Sequence, residues 1–113
     1  MKFTLTRTQF LDGLKAVLNI VPNRSTTPIL QNVLLEAAGD KLKMRTTSID
    51  ITVCSEVDCT VQEPGATTLP VKLLFNSVAK AVEGLVEVTV DENESAKIVA
   101  GSATYMLPGM PAK

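Results

Sequence analysis

The chain has 113 residues, room for one domain around one core. Apolar residues make up 45% and charged residues 20%, a balance that excludes a disordered chain, and with 4% aromatics the core has to be assembled from Val, Leu, Ile and Ala. The net charge is −1 and histidine is absent, which removes the commonest general base and the commonest metal ligand together.

The apolar runs are short, Val33-Leu34-Leu35 for example, against the roughly 20 residues a membrane-spanning helix needs. The opening Met1-Lys2-Phe3-Thr4-Leu5-Thr6-Arg7 alternates apolar and polar side chains, where a signal peptide would need a continuous apolar stretch. A cytoplasmic location is expected. Two cysteines, Cys54 and Cys59, lie five apart. On one extended strand they would face opposite ways, so they read as two reduced thiols.

Lys2 to Arg7 predicts a strand with Phe3 and Leu5 on one face. Thr6 or Thr8 is placed to cap a helix over Gln9 to Val21, whose apolar stripe is Phe10, Leu11, Leu14, Val17, Leu18 and Val21. Gly13 within it costs about 1 kcal/mol relative to Ala and predicts tertiary support or a close approach there. Pro22 to Pro28 is a polar loop. Ile29 to Ala37 predicts a strand buried on both faces. Ala38-Gly39-Asp40 predicts a hairpin turn, and Lys41 to Arg45 a half-exposed strand. In the next strand Ile49, Ile51, Val53 and Val57 line one face, with Asp50, Thr52, Glu56 and Asp58 on the other.

Glu63-Pro64-Gly65 is a turn, and Ala66 to Leu69 a short strand. Pro70 opens a second helix whose stripe is Val71, Leu74, Phe75, Val78 and Val82, ended by Glu83-Gly84. Three strands follow: Val86 to Val90, Ala96 to Ala100 and Ser102 to Leu107. The order strand, helix, three strands thus occurs twice, which predicts an α+β domain with a pseudo-twofold axis, two sheets and two neighbouring helices.

Charge is unevenly placed. Arg7, Lys15, Arg24, Lys72 and Lys80 lie on the helices or their flanking loops against one acid, Asp12, while the remaining strands and turns carry six basic and eleven acidic residues. The helical side should attract phosphate without reading bases, since it has no Arg/Asn cluster of the recognition-helix kind. Enzyme chemistry finds little support. Asp50, Glu56 and Asp58 share a strand face without a partner base. Asp91-Glu92-Asn93-Glu94 lacks the glycine and spacing of a calcium loop. Gly39, Gly65 and Gly84 are isolated at turns rather than gathered into a phosphate loop, and the serines and threonines have no histidine to activate them.

Over essentially all its length the chain resembles the bacterial DNA polymerase III beta subunit, the sliding clamp. The segments that carry the likeness are Met1-Lys2-Phe3-Thr4 with Arg7, Arg24-Ser25-Thr26-Thr27-Pro28-Ile29-Leu30-Gln31-Asn32-Val33-Leu34, Pro64-Gly65-Ala66-Thr67-Thr68-Leu69-Pro70, and the helix from Val71 to Lys80. The resemblance implies the clamp fold: two antiparallel four-stranded sheets with two helices packed on the inner face. It implies that residues 1–113 are the first of three similar domains, with a natural single-domain relative as the alternative. It further implies a homodimeric ring around double-stranded DNA that tethers the replicative polymerase, the polymerase and the clamp loader binding through later domains. A non-catalytic accessory subunit is expected, with no cofactor and no metal. The other reading is a protein–protein interaction module of the same fold without a DNA role.

By position, Arg24 matches the family's loop arginine that reaches DNA, and Lys72 a basic residue at the start of the second helix. Arg7, Lys15 and Lys80 join them as DNA-binding candidates through their place on the helices. Tyr105, Leu107 and Leu73 are the candidates for the subunit interface. The chain departs from the family at Thr47-Ser48-Ile49-Asp50, where an acid is missing, and in the last strand, Gly101 to Leu107, which lacks arginines and keeps only Tyr105.

Overall fold

The computed structural model describes residues 1–18, 32–47 and 51–111. In chain order the elements are β1 (Lys2–Thr6), α1 (Arg7–Leu18), β2 (Asn32–Ala38), β3 (Lys41–Thr47), β4 (Thr52–Asp58), β5 (Thr60–Glu63), β6 (Gly65–Pro70), α2 (Val71–Lys80), β7 (Leu85–Val90), β8 (Ser95–Ala100) and β9 (Ala103–Pro108).

All strand pairs are antiparallel. One sheet runs β5-β1-β7-β8-β9 and the other β4-β3-β2-β6. The expected repeat is present, in a reciprocal form. The first half's opening strand, β1, pairs with β7 of the second half, and the second half's opening strand, β6, pairs with β2 of the first. Each half therefore completes the other's sheet.

One sheet has five strands rather than the expected four. The chain leaves β4 at Cys59 and continues as β5 along β1, held there by Asp40, whose carbonyl accepts the Cys59 N–H (3.1 Å) and whose carboxylate accepts the Val61 N–H (3.2 Å). Asp40 can do this because Gly39 and Asp40 both have φ of 57°, the geometry of a two-residue hairpin turn between β2 and β3. The sequence hides β5, since Thr60-Val61-Gln62-Glu63 has a single apolar residue and so no visible alternation.

The core is one cluster shared by both sheets and both helices. It is built on Phe3 and Leu5 of β1, Phe10, Leu14 and Val17 of α1, Val33 and Leu35 of β2, Leu74 and Val78 of α2, and Val86 and Val88 of β7. Phe3 and Phe10 meet edge to face, ring centroids 6.2 Å apart. Two expectations are corrected. In β2, Val33, Leu35 and Ala37 are buried, while Leu34 is half-buried and Glu36 is exposed, so its described part is one-sided, as suits an antiparallel sheet with one face on the core. Val82, assigned to the second helix stripe, is 62% exposed, because α2 stops at Lys80 and Ala81 is already extended.

Candidate nucleic-acid interface

α1 starts two residues before the expected Gln9, because Thr6 and Gln9 cap it reciprocally. The Thr6 hydroxyl oxygen accepts the Gln9 N–H at 3.1 Å, and the Gln9 side-chain oxygen accepts the Thr6 N–H at 3.0 Å. The helix lies on β3 and β4. Ser55 of β4 donates to the Gly13 carbonyl (3.0 Å), and buried Thr46 of β3 donates to the Val17 carbonyl (2.7 Å). Gly13 is the close approach its sequence suggested. A Cβ there would sit 2.1 Å from the Met44 methyl and 3.1 Å from Val57 Cγ1. The expected stripe residues Phe10, Leu11, Leu14 and Val17 are buried and Leu18 is half-buried; Val21 lies outside the described residues.

α2 follows directly from β6. Pro70 is its N-cap at φ −60°, with no side-chain cap bond, and the first turn holds no acid. Lys72 in that turn opposes the helix dipole, where an acidic residue would be favoured. Val71, Leu74 and Val78 are buried and Phe75 half-buried.

The two helices pack against each other, so their outward faces adjoin. On α1 that face carries Thr8, Asp12, Lys15 and Ala16; on α2 it carries Lys72, Leu73, Asn76 and Lys80, all exposed. Lys72, Asn76 and Lys80 recur every four residues and so form one row. Asn76 escaped the sequence reading, although its spacing between two lysines was the available signal. Asp12 is the one acid on these two helices. Glu36, Glu56, Asp58, Glu63, Asp91 and Glu92 are exposed on strands and turns.

Arg7 stands apart from the other candidates. Its Nε donates to the Val78 carbonyl (3.2 Å), Nη2 to the Ala79 carbonyl (2.8 Å) and Nη1 to Glu83 (3.0 Å), which leaves the side chain 23% exposed. Arg24 lies outside the described residues. Among the interface candidates Leu73 is 51% exposed and Tyr105 is half-buried against the core, while Leu107 is 7% exposed and belongs to the core. Met106, beside them on β9, is 61% exposed and was not singled out by the sequence.

Of the acidic groups weighed for catalysis or cation binding, Asp58, Asp91 and Glu94 are engaged structurally. Asp58 pairs with Lys41, whose pKa is raised by that hydrogen bond and charge. The Asp91 carboxylate accepts the N–H groups of Asn93 (2.9 Å) and Ser95 (3.0 Å), and Glu94 accepts the Thr67 hydroxyl (2.8 Å). Asp50 lies outside the described residues. No cluster of three or more His, Cys, Asp or Glu able to hold a metal occurs among the described residues. Both cysteines are free thiols: Cys54 is exposed on β4, while Cys59 sits at the bend between strands, its pKa raised by burial and by Asp40 and Asp58. Among the described residues no helix is long and apolar enough to cross a membrane. Among the described residues, an open concavity of about 360 Å³ is lined mainly by β1 and β5 with Gln9 of α1 and Leu85 of β7, and another of about 460 Å³ by residues of β2, β3 and β4; neither involves the helix lysines.

A family model described as the N-terminal domain of the DNA polymerase III beta subunit matches residues 1–113. The beta sliding clamp of Chlamydia muridarum is 31% identical over 110 residues, 97% of this chain and 30% of that protein. That of Caulobacter vibrioides is 33% identical over 114 residues, 99% of this chain and 31% of the relative. A crystal structure of the DNA polymerase sliding clamp from Caulobacter crescentus superposes with a TM-score of 0.95 at 34% identity, covering 99% of this chain and 31% of that one. The chain thus spans about a third of the length of these relatives. With the whole of its sequence matched and its two-sheet, two-helix architecture superposed, it belongs to the family of the DNA polymerase III beta subunit N-terminal domain.

Proposed function

We propose that this domain is one sector of a ring that encircles duplex DNA and tethers the replicative polymerase without chemistry of its own. The observation that carries the reading is the pair of adjoining helices, whose outward faces present Lys15, Lys72, Asn76 and Lys80 against a single carboxylate, Asp12, with exposed acids on strands and turns. Lysines on flexible stems attract phosphate oxygens as point charges without fixing a register. No base-specific bond then has to break as the duplex passes, which is the energetic condition for sliding. Arg24 joins these lysines as a DNA contact by its match to the family's loop arginine. The domain edge formed by α2 and β9, with Leu73, Tyr105 and Met106 outward or half-outward and Leu107 anchoring the strand from beneath, serves as the surface toward a second subunit. The polymerase and clamp loader engage later domains of the ring, which needs neither a cofactor nor a metal, in the cytoplasm.

Titration with duplex DNA across a salt series tests the reading. A few engaged phosphates give a slope of roughly −2 to −4 in log affinity against log salt, the same for unrelated sequences. Replacing Lys15, Lys72 and Lys80 together by glutamine flattens that slope by about 2 to 3. Folded protein that shows no salt-dependent affinity for DNA would favour the interaction-module reading instead.

A further inference from the structure

We infer that Arg7 is a positioning residue. It fastens the last turn of α2 to the start of α1 and so sets where Lys80 stands, rather than touching phosphate itself. The link to Lys80 rests on the DNA reading above; the fastening does not.

A helix leaves its last carbonyls without partners within the helix. In α2 one guanidinium reaches two of them: Nη2 donates to the Ala79 carbonyl at 2.8 Å, and Nε at 3.2 Å to the Val78 carbonyl, which also accepts the Ala81 N–H at 3.1 Å. The positive charge faces the negative end of the helix dipole, where a cation is favoured. The third nitrogen holds Glu83 at 3.0 Å, just past the helix, and the Arg7 N–H donates to the Gly84 carbonyl at 2.9 Å. One residue at the head of α1 thus grips the segment from Val78 to Gly84 at four points. α2 is 10 residues long, too short to be stable by itself, and the grip falls on its last turn. Lys80 is in that turn, exposed, and contributes the end of the Lys72-Asn76-Lys80 row. A guanidinium with its nitrogens already distributed and its charge matched by Glu83 has little left for a phosphate. A lysine at this position would keep the charge, but as a single point it could not span two carbonyls and a carboxylate.

Arg7→Lys therefore separates the two roles. Hydrogen exchange is measured on the wild-type chain and the variant. The amides of Ala79, Lys80 and Ala81 are expected to exchange on the order of tenfold faster in R7K, with those of β3 unchanged. DNA affinity at low salt is then measured for the wild type, R7K, K80Q and the double variant. Affinity is expected to fall severalfold in R7K, and this fall to vanish in the K80Q background, because the two changes act through one group. A purely structural loss would not couple to Lys80. Unchanged exchange at residues 79–81 overturns the inference, as does R7K binding DNA like the wild type or effects of R7K and K80Q that add. If the wild type binds no DNA, the DNA reading fails instead, and the exchange comparison still decides the fastening.

Discussion

Gly13 shows two opposing pressures at a single residue. Inside a helix, alanine is favoured over glycine by about 1 kcal/mol. Here the added methyl would meet the Met44 methyl at 2.1 Å and Val57 Cγ1 at 3.1 Å, so the end of the fully buried Met44 side chain would have to shift. Overpacking of this kind costs typically about 1–3 kcal/mol. Gly13→Ala is expected to lower the unfolding free energy by about 1 kcal/mol in urea titration, the clash exceeding the propensity gain. In a Met44→Leu background, which withdraws the terminal methyl, the same change should be neutral or stabilising. The sequence announced the tight spot through one glycine in an amphipathic stripe. It did not announce that Arg7 faces a neighbouring helix, because that depends on α2 ending beside the head of α1, a fact of packing rather than of spacing.

Elements were legible where periodicity was strong. The stripe from Phe10 to Val17, the alternation of Lys41 to Arg45, and Val86-Val88-Val90 all appear in their expected classes. Misreadings fell where one pattern admits two meanings. A nearly continuous apolar run suggested that β2 is buried on both faces, whereas Leu34 is half-buried and Glu36 exposed. The four residues of β5 carry too little apolar character to register, being held by Asp40 across the hairpin. The start of α1 offered two capping threonines, and the structure selects Thr6. Thr6→Ala should cost about 1 kcal/mol, read as a shift in the denaturant midpoint. Thr8→Ala, at an exposed position outside the reciprocal cap, should stay within about 0.5 kcal/mol. Equal losses at both positions would mean that the cap has been assigned to the wrong residue. Of the candidate site, the lysines were legible from their placement on helices, while Asn76 was overlooked because an amide carries no charge to attract notice.

At the scale of the molecule, the doubled plan was readable from element order, but its reciprocity was not, since no local pattern says that Leu5 will lie opposite Val86 or Leu35 opposite Thr67. Cutting the chain between Glu63 and Pro64 leaves one piece whose sheet lacks β6 and another whose sheet lacks β1 and β5. Each piece alone should show little ordered structure by circular dichroism, and mixing them should restore it. A fragment that folds unaided would refute the interdependence.

The exchanged strands also govern how the domain comes apart. Two lobes merely resting on one another would let one melt while the other stood. Here neither can loosen without stripping a strand from its counterpart, so partial opening is confined to chain ends and hairpin tips. Heat should therefore dissolve the whole interlock in a single step, with no half-molten species along the way.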